Sequence, residues 1–228
     1  MYRPAPYGIQ TSLVLTSEPG SLSRPRSSVT DRSFVRFGGL AGILLAITSW
    51  AAVVVYFTTA QQGQDLVGLE TFRMLYALIA FWALFGIVAV HWVVRPQGEA
   101  WSFFGTLVGV IASVGTITAS LYYVAATRAA LLANATSVTT IAPTDPLNVM
   151  TFALTGLWFL IANLLLRHAA VPRLLVLLGF VAVADLFVGF LGALAANDII
   201  TMYAAIIAGA VGGPLYWLWL GLTLRRLA

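Results

Sequence analysis

Six long apolar runs, almost free of charge, leave this chain few folds to choose from. They cover 37–59, 72–94, 101–125, 147–167, 172–196 and 199–224. Each holds about 20 residues or more, enough to cross a hydrocarbon core of ~30 Å at ~1.5 Å per helical residue. A membrane β-barrel would show alternating segments of only ~10 residues, so the runs predict helices. Of all residues 60% are hydrophobic and 9% charged, whereas charged residues make up about a quarter of an ordinary soluble domain. The expected fold is an all-α integral membrane protein: a six-transmembrane-helix bundle over 37–224, in contact with the lipid bilayer.

Residues 1–36 are rich in Ser, Arg and Pro and lack helical periodicity, which reads as a disordered tail. The segment does not have the form of a cleavable signal peptide, because its polar part is long and the run after it is long enough to span. Arginine distribution sets the expected orientation. With the N-terminus cytoplasmic, the inner side holds ten arginines: Arg3, Arg24, Arg26, Arg32, Arg36, Arg95, Arg167, Arg173, Arg225 and Arg226. The outer side holds Arg73 and Arg128. The C-terminus is then cytoplasmic as well, and Trp92, Trp101, Trp217 and Trp219 fall near the inner surface as interfacial aromatics. The arginines sit at the ends of runs, not in one patch, so nucleic-acid binding has no support. Arginine without lysine, together with much alanine, suggests a GC-rich bacterial genome, and the expected location is the bacterial inner membrane.

Local signals mark several helix ends. Asp145-Pro146 and Pro172 open the fourth and fifth helices, and Asn197 or Asp198 caps the sixth after a very short turn. That turn makes the last two helices antiparallel neighbours. The connection 127–146 is the longest and is expected outside. It contains an Asn134-Ala-Thr136 sequon of low specificity. Gly105 and Gly109 form a GxxxG packing pattern on the third helix. Around Asp185, the residues Ala182, Gly189, Gly192 and Ala196 make a small-residue stripe. Ala205, Ala208, Gly209, Gly212 and Gly213 offer a matching surface, so the fifth and sixth helices are expected to pack tightly with Asp185 at or beside the seam. Pro214 lacks an amide hydrogen and kinks the sixth helix.

Asp185 is the only acid deep in a run. A carboxylate there costs ~2.5–3.5 kcal/mol on insertion scales and should face protein or water. By depth, its expected partners are Thr48 and Ser49 on the first helix and Ser113 and Thr116 on the third, with no arginine at that level. Its functional reading is a proton- or cation-binding site. The bland one, and the commoner, is a neutral acid hydrogen-bonded between helices. Ser113, Thr116, Ser120 and Tyr123 form a polar stripe that lines a passage or, more often in membrane helices, makes interhelical hydrogen bonds. His91 and His168 lie at one depth and are weak candidates for axial haem ligands. The commoner reading is a pair of interfacial histidines beside Arg95 and Arg167. The chain has no cysteine and no lysine, which removes disulfides, thiol chemistry, a Walker A loop and a lysine Schiff base. No catalytic residue, metal site or cofactor is expected.

Several stretches carry a resemblance: Arg36-Phe-Gly-Gly-Leu-Ala-Gly42, Asp145-Pro-Leu147, Leu157-Trp158, Leu166-Arg167 with Val171-Pro-Arg-Leu174 and Gly179, and Pro214 with Trp217-Leu-Trp-Leu-Gly221 and Leu224-Arg225. Together they resemble, over about 37–228, a family of small multi-pass bacterial membrane proteins without an established activity. The resemblance implies topology and no chemistry. Packing motifs without a catalytic constellation favour a non-enzymatic protein that acts by binding. It would be an accessory subunit of a larger membrane complex, or a binder of a lipid or other hydrophobic ligand, with other membrane subunits or a second copy as partners. The rival is a small transporter or proton-coupled carrier using Asp185.

Overall fold

The computed structural model describes residues 29–60, 65–133 and 149–228. The expected tail up to residue 28, the Asn134 sequon and the Asp145-Pro146 cap lie outside the described residues. Within them every regular element is helical. Six helices are long and apolar enough to cross a membrane: Arg32–Thr59, Leu66–Gln97, Glu99–Leu132, Val149–Leu166, Arg173–Leu194 and Ile199–Leu227.

The first span is α1 (Val29–Val55) followed by a π-helical turn, Tyr56–Ala60. Helix therefore starts before Phe37, because Phe34 and Val35 already pack on the core and arginine is a good helix former. The second span, α2, covers Leu66–Val94, and the third, α3, covers Glu99–Leu132. A short 3₁₀ turn, Arg95–Gln97, joins them. At ~1.5 Å per residue α3 exceeds a ~30 Å hydrocarbon core. Near its far end Arg128 pairs with Glu70 of α2 at 3.1 Å. The fourth span opens with a π-helical turn, Val149–Leu154, and continues as α4, Thr155–Leu166. The fifth is α5, Arg173–Leu194. The sixth is broken: α6 (Asp198–Ile206), a π-helical turn (Ile207–Gly212) and α7 (Gly213–Leu227).

Capping decides two of these boundaries. Asp65 Oδ1 accepts the Gly68 amide at 2.9 Å, so α2 begins at Leu66 and not at Phe72. Asn197 Oδ1 accepts the Ile200 amide at 3.1 Å and starts α6. The chain enters that cap through Ala196, whose φ of 50° makes the tight reversal after α5.

The spans close into a ring, each packed on the next, and α7 returns to α1. The end of the bundle carrying Arg95, Arg167, Arg173, Arg225 and Arg226 is called here the basic end. There α1 and α7 meet backbone to backbone. A Cβ on Gly39 would lie 2.7 Å from the Gly221 carbonyl, and one on Gly221 would lie 2.5 Å from the Gly39 carbonyl. Above this contact an aromatic block fills the middle. Trp158 and Trp217 stack with centroids 5.3 Å apart and planes 1° from parallel, flanked by Phe159 and Tyr216. Trp217 is thus a buried core residue, not an interfacial one. Asn163, fully buried, donates to the Phe159 carbonyl and accepts from the Tyr216 hydroxyl.

Candidate functional site

The break in the sixth span shapes the site. Pro214 has no amide hydrogen, so the Ala210 carbonyl, four residues back, has no helical donor from it. Trp50 Nε1 on α1 donates to that carbonyl at 3.1 Å. The Gly213 amide bonds the Ala208 carbonyl, five residues back, in the π-helical pattern. A side chain at Gly213 would collide with the same oxygen. Below the break α7 packs on α1. Beyond it α6 packs on α5, where Gly189 faces Phe152 and Ala204, and Gly192 faces Ile200 and Thr201. The upper part of α1 has no such neighbour in α6, and the two diverge.

A cavity of about 470 Å³ fills the divergence. Its floor is formed by the aromatic Phe159 and Trp217 with Pro214, and most of its wall is aliphatic. Phe57, Met202 and Ile207 line it and are also exposed on the outside of the bundle, which marks a sideways mouth between the first and sixth spans. All three described π-helical turns contribute wall: Tyr56 and Phe57, Thr151 and Phe152, and Ile207, Ala208, Gly209, Ala210 and Gly212. π-Helical turns are rare and occur frequently at functional sites.

Two ionisable side chains, one acidic and one basic, face this space. Asp185 enters from α5, and its Oδ2 is buried without a hydrogen-bond partner. Arg73 enters from α2, and its Nε is buried without a hydrogen-bond partner. The guanidinium sits 4.5 Å from the centre of the Tyr123 ring and 5.6 Å from that of Phe72, a cation–π cradle that holds it in place. Arg73 and Asp185 form no ion pair with each other; the described ion pairs are Arg95–Glu99 and Arg128–Glu70. Arg73 and Asp185 line one long cavity, but counted from the basic end Arg73 stands about 15 Å further along the bundle than Asp185 at ~1.5 Å per residue. With α2 starting at Leu66, Arg73 is two turns inside the helix, not at its mouth. The Asp65 cap, with Gly68 three residues on, was the sequence signal for it.

The structure divides the polar set expected around Asp185. Ser49 lines the same cavity. Thr48 does not; its hydroxyl donates to the Leu44 carbonyl at 2.7 Å. Ser113 and Thr116 line a separate space of about 100 Å³ behind Tyr76, Thr151 and Thr155, residues that face both cavities. No hydroxyl donates to Asp185 Oδ2. Ser120 and Tyr123 lie on the buried face of α3, and the Ser120 hydroxyl has no partner either.

The glycines also divide. Gly105 abuts Ile161 and Gly109 abuts Trp158, seating α3 on the fourth span. Gly209 has nothing within 4 Å of an added Cβ, and Gly212 meets only the Ile207 carbonyl at 3.5 Å. Neither packs a helix, because the π-helical turn directs both at the cavity. The seam between α5 and α6 starts one turn beyond Asp185, which points into open space instead.

His91 and His168 do not share a cavity. His91 Nδ1 lies 2.7 Å from Ser102 Oγ beside a void of about 10 Å³, and the exposed His168 accepts from Arg167 Nε at 2.8 Å. Comparisons of the chain with protein-family models, curated proteins and solved structures gave no match.

Proposed function

We propose that this chain is a multi-pass protein of a bacterial inner membrane, with both termini cytoplasmic, and that it acts by binding a hydrophobic or amphipathic small molecule. The observation that supports binding is the large, mostly apolar cavity of the sixth-span break, open sideways to the surface that lipid would cover. Its volume is in the range of ligand pockets, and apolar walls with a few converging polar groups are their usual chemistry. Orientation rests on the arginine excess at one end. A reporter enzyme fused after Leu224 is expected to be active only on the cytoplasmic side.

Native mass spectrometry of protein extracted gently from its own membrane tests the binding role. We expect a retained small-molecule mass that disappears in Ala205→Phe, where a ring fills the cavity. A bare protein would sink this reading. Co-purification with other subunits at fixed stoichiometry would instead favour the accessory role.

A carrier is the second reading. Its support is the smaller cavity on the far side of Tyr76 and Thr151, which shares those residues with the first and is lined by Ser113 and Thr116 of the third span. Asp185→Asn is then expected to abolish proton-driven uptake in vesicles; unchanged uptake would remove Asp185 from any carrier mechanism.

A further inference from the structure

We infer that the ligand is a lipophilic amine whose ammonium pairs with Asp185 and whose apolar body fills the cavity, an assignment that rests on the binding role proposed above and names its ligand class. Asp185 Oδ2 is buried without a hydrogen-bond partner, yet the side chain faces a space of about 470 Å³. The carboxylate form asks for a donor and the acid form for an acceptor, so either state leaves a buried polar atom unserved. No cation of the cavity wall serves it. Among the described residues the other charged side chain there is Arg73, about 15 Å further from the basic end at ~1.5 Å per helical residue. A charge within an apolar bundle is costly without a partner. An ammonium supplies positive charge and an N–H donor together.

Depth and walls narrow the class. Counted from the basic end, Asp185 is about 18 Å up α5 and Trp217 about 15 Å up α7. The acid therefore stands close to the level of the aromatic floor and near the middle of a ~30 Å hydrocarbon core, away from the headgroups at either face. The rings of Phe159 and Trp217 offer an apolar seat for the body of the ligand, and the mouth at Phe57 and Met202 admits it sideways. Calcium and magnesium ask for about six or more oxygen ligands. Among the described residues no three acidic or histidine side chains gather, and most of the cavity wall is aliphatic. An anionic amphiphile headed at Arg73 would lay its tail against Asp185 and leave that carboxylate unserved.

The test uses the full chain in nanodiscs of phosphatidylcholine and probes that share one ring system: naphthylmethylamine, naphthylmethanol and naphthylacetate. Binding at neutral pH is read by equilibrium dialysis against empty nanodiscs of the same lipid, which subtracts partition into the bilayer. The amine is expected to bind at least about tenfold tighter than the alcohol, the size of one charge-assisted hydrogen bond. Asp185→Asn should remove that preference, and Asp185→Glu, which keeps the charge, should retain it. Ala205→Phe, with a ring in the cavity, should lower binding of every probe. Elution as a single species checks that each variant is folded.

Equal binding of amine and alcohol would overturn the assignment and leave the binding role standing. The same follows if the preference survives in Asp185→Asn. A preference for naphthylacetate that is lost in Arg73→Gln would overturn it in favour of an anionic amphiphile. If no probe binds, the assignment falls. The binding role falls with it only if protein extracted from its own membrane also carries no small molecule.

Discussion

At the basic end the six spans fit together down to their backbones; toward the other end the same spans part. Gly39 against Gly221 and Trp158 against Trp217 leave little free volume in the lower half. In the upper half three helices loosen into π-helical turns, and buried polar atoms go without partners. Membrane helices gain little from apolar burial alone, since lipid is as apolar as leucine. Close packing is what holds them, so the lower half carries the stability. The upper half departs from regular helix where it shapes a space, and departures of that kind are where function is to be sought.

Substitutions can break this comparison. Trp217→Ala removes one partner of the stack and part of the cavity floor. We expect a loss of about 3–5 kcal/mol, the usual cost of a large aromatic truncated in a core, measured by thermal unfolding in mild detergent. Gly221→Val drives a side chain into the backbone of α1 and should cost about 3 kcal/mol, seen in the same assay. Trp50→Phe deletes one interhelical hydrogen bond, worth ~0.6 kcal/mol on average in membrane bundles. Its main readout is faster hydrogen exchange of the amides around 207–213. Gly209→Ala, at the cavity wall, should stay within about 0.5 kcal/mol of wild type. Were Gly209→Ala as damaging as Gly221→Val, the two halves would not differ as argued.

Much of the architecture could be read from the residues, because span length and charge depletion are local properties. The Asn197 cap, the short turn after α5 and the disturbance at Pro214 were similarly visible. The site was less so. Depth along a helix follows from counting residues, but the direction a side chain faces in a ring of six does not. Ser49, Ser113 and Thr116 were therefore assigned one site, although they line two cavities. The start of α2 was misplaced by the assumption that a helix starts where its apolar run starts. The turn at Val149–Leu154 bears no local mark comparable to Gly212-Gly213-Pro214, since it depends on what the neighbouring spans present.

That proline carries one more consequence. A prolyl nitrogen has no hydrogen in any state of the protein, so the Ala210 carbonyl lacks its ordinary helical donor whether or not a guest is present. Straightening the sixth span would sever the Trp50 contact and put nothing in its place. The bend is consequently a covalent property of the chain, not a response to occupancy. A molecule arriving from the bilayer meets a receptacle already in shape, and little of its affinity is lost to rearrangement. Occupancy should then leave the course of the sixth span nearly unaltered, and exchange of the guest should be governed by the sideways mouth.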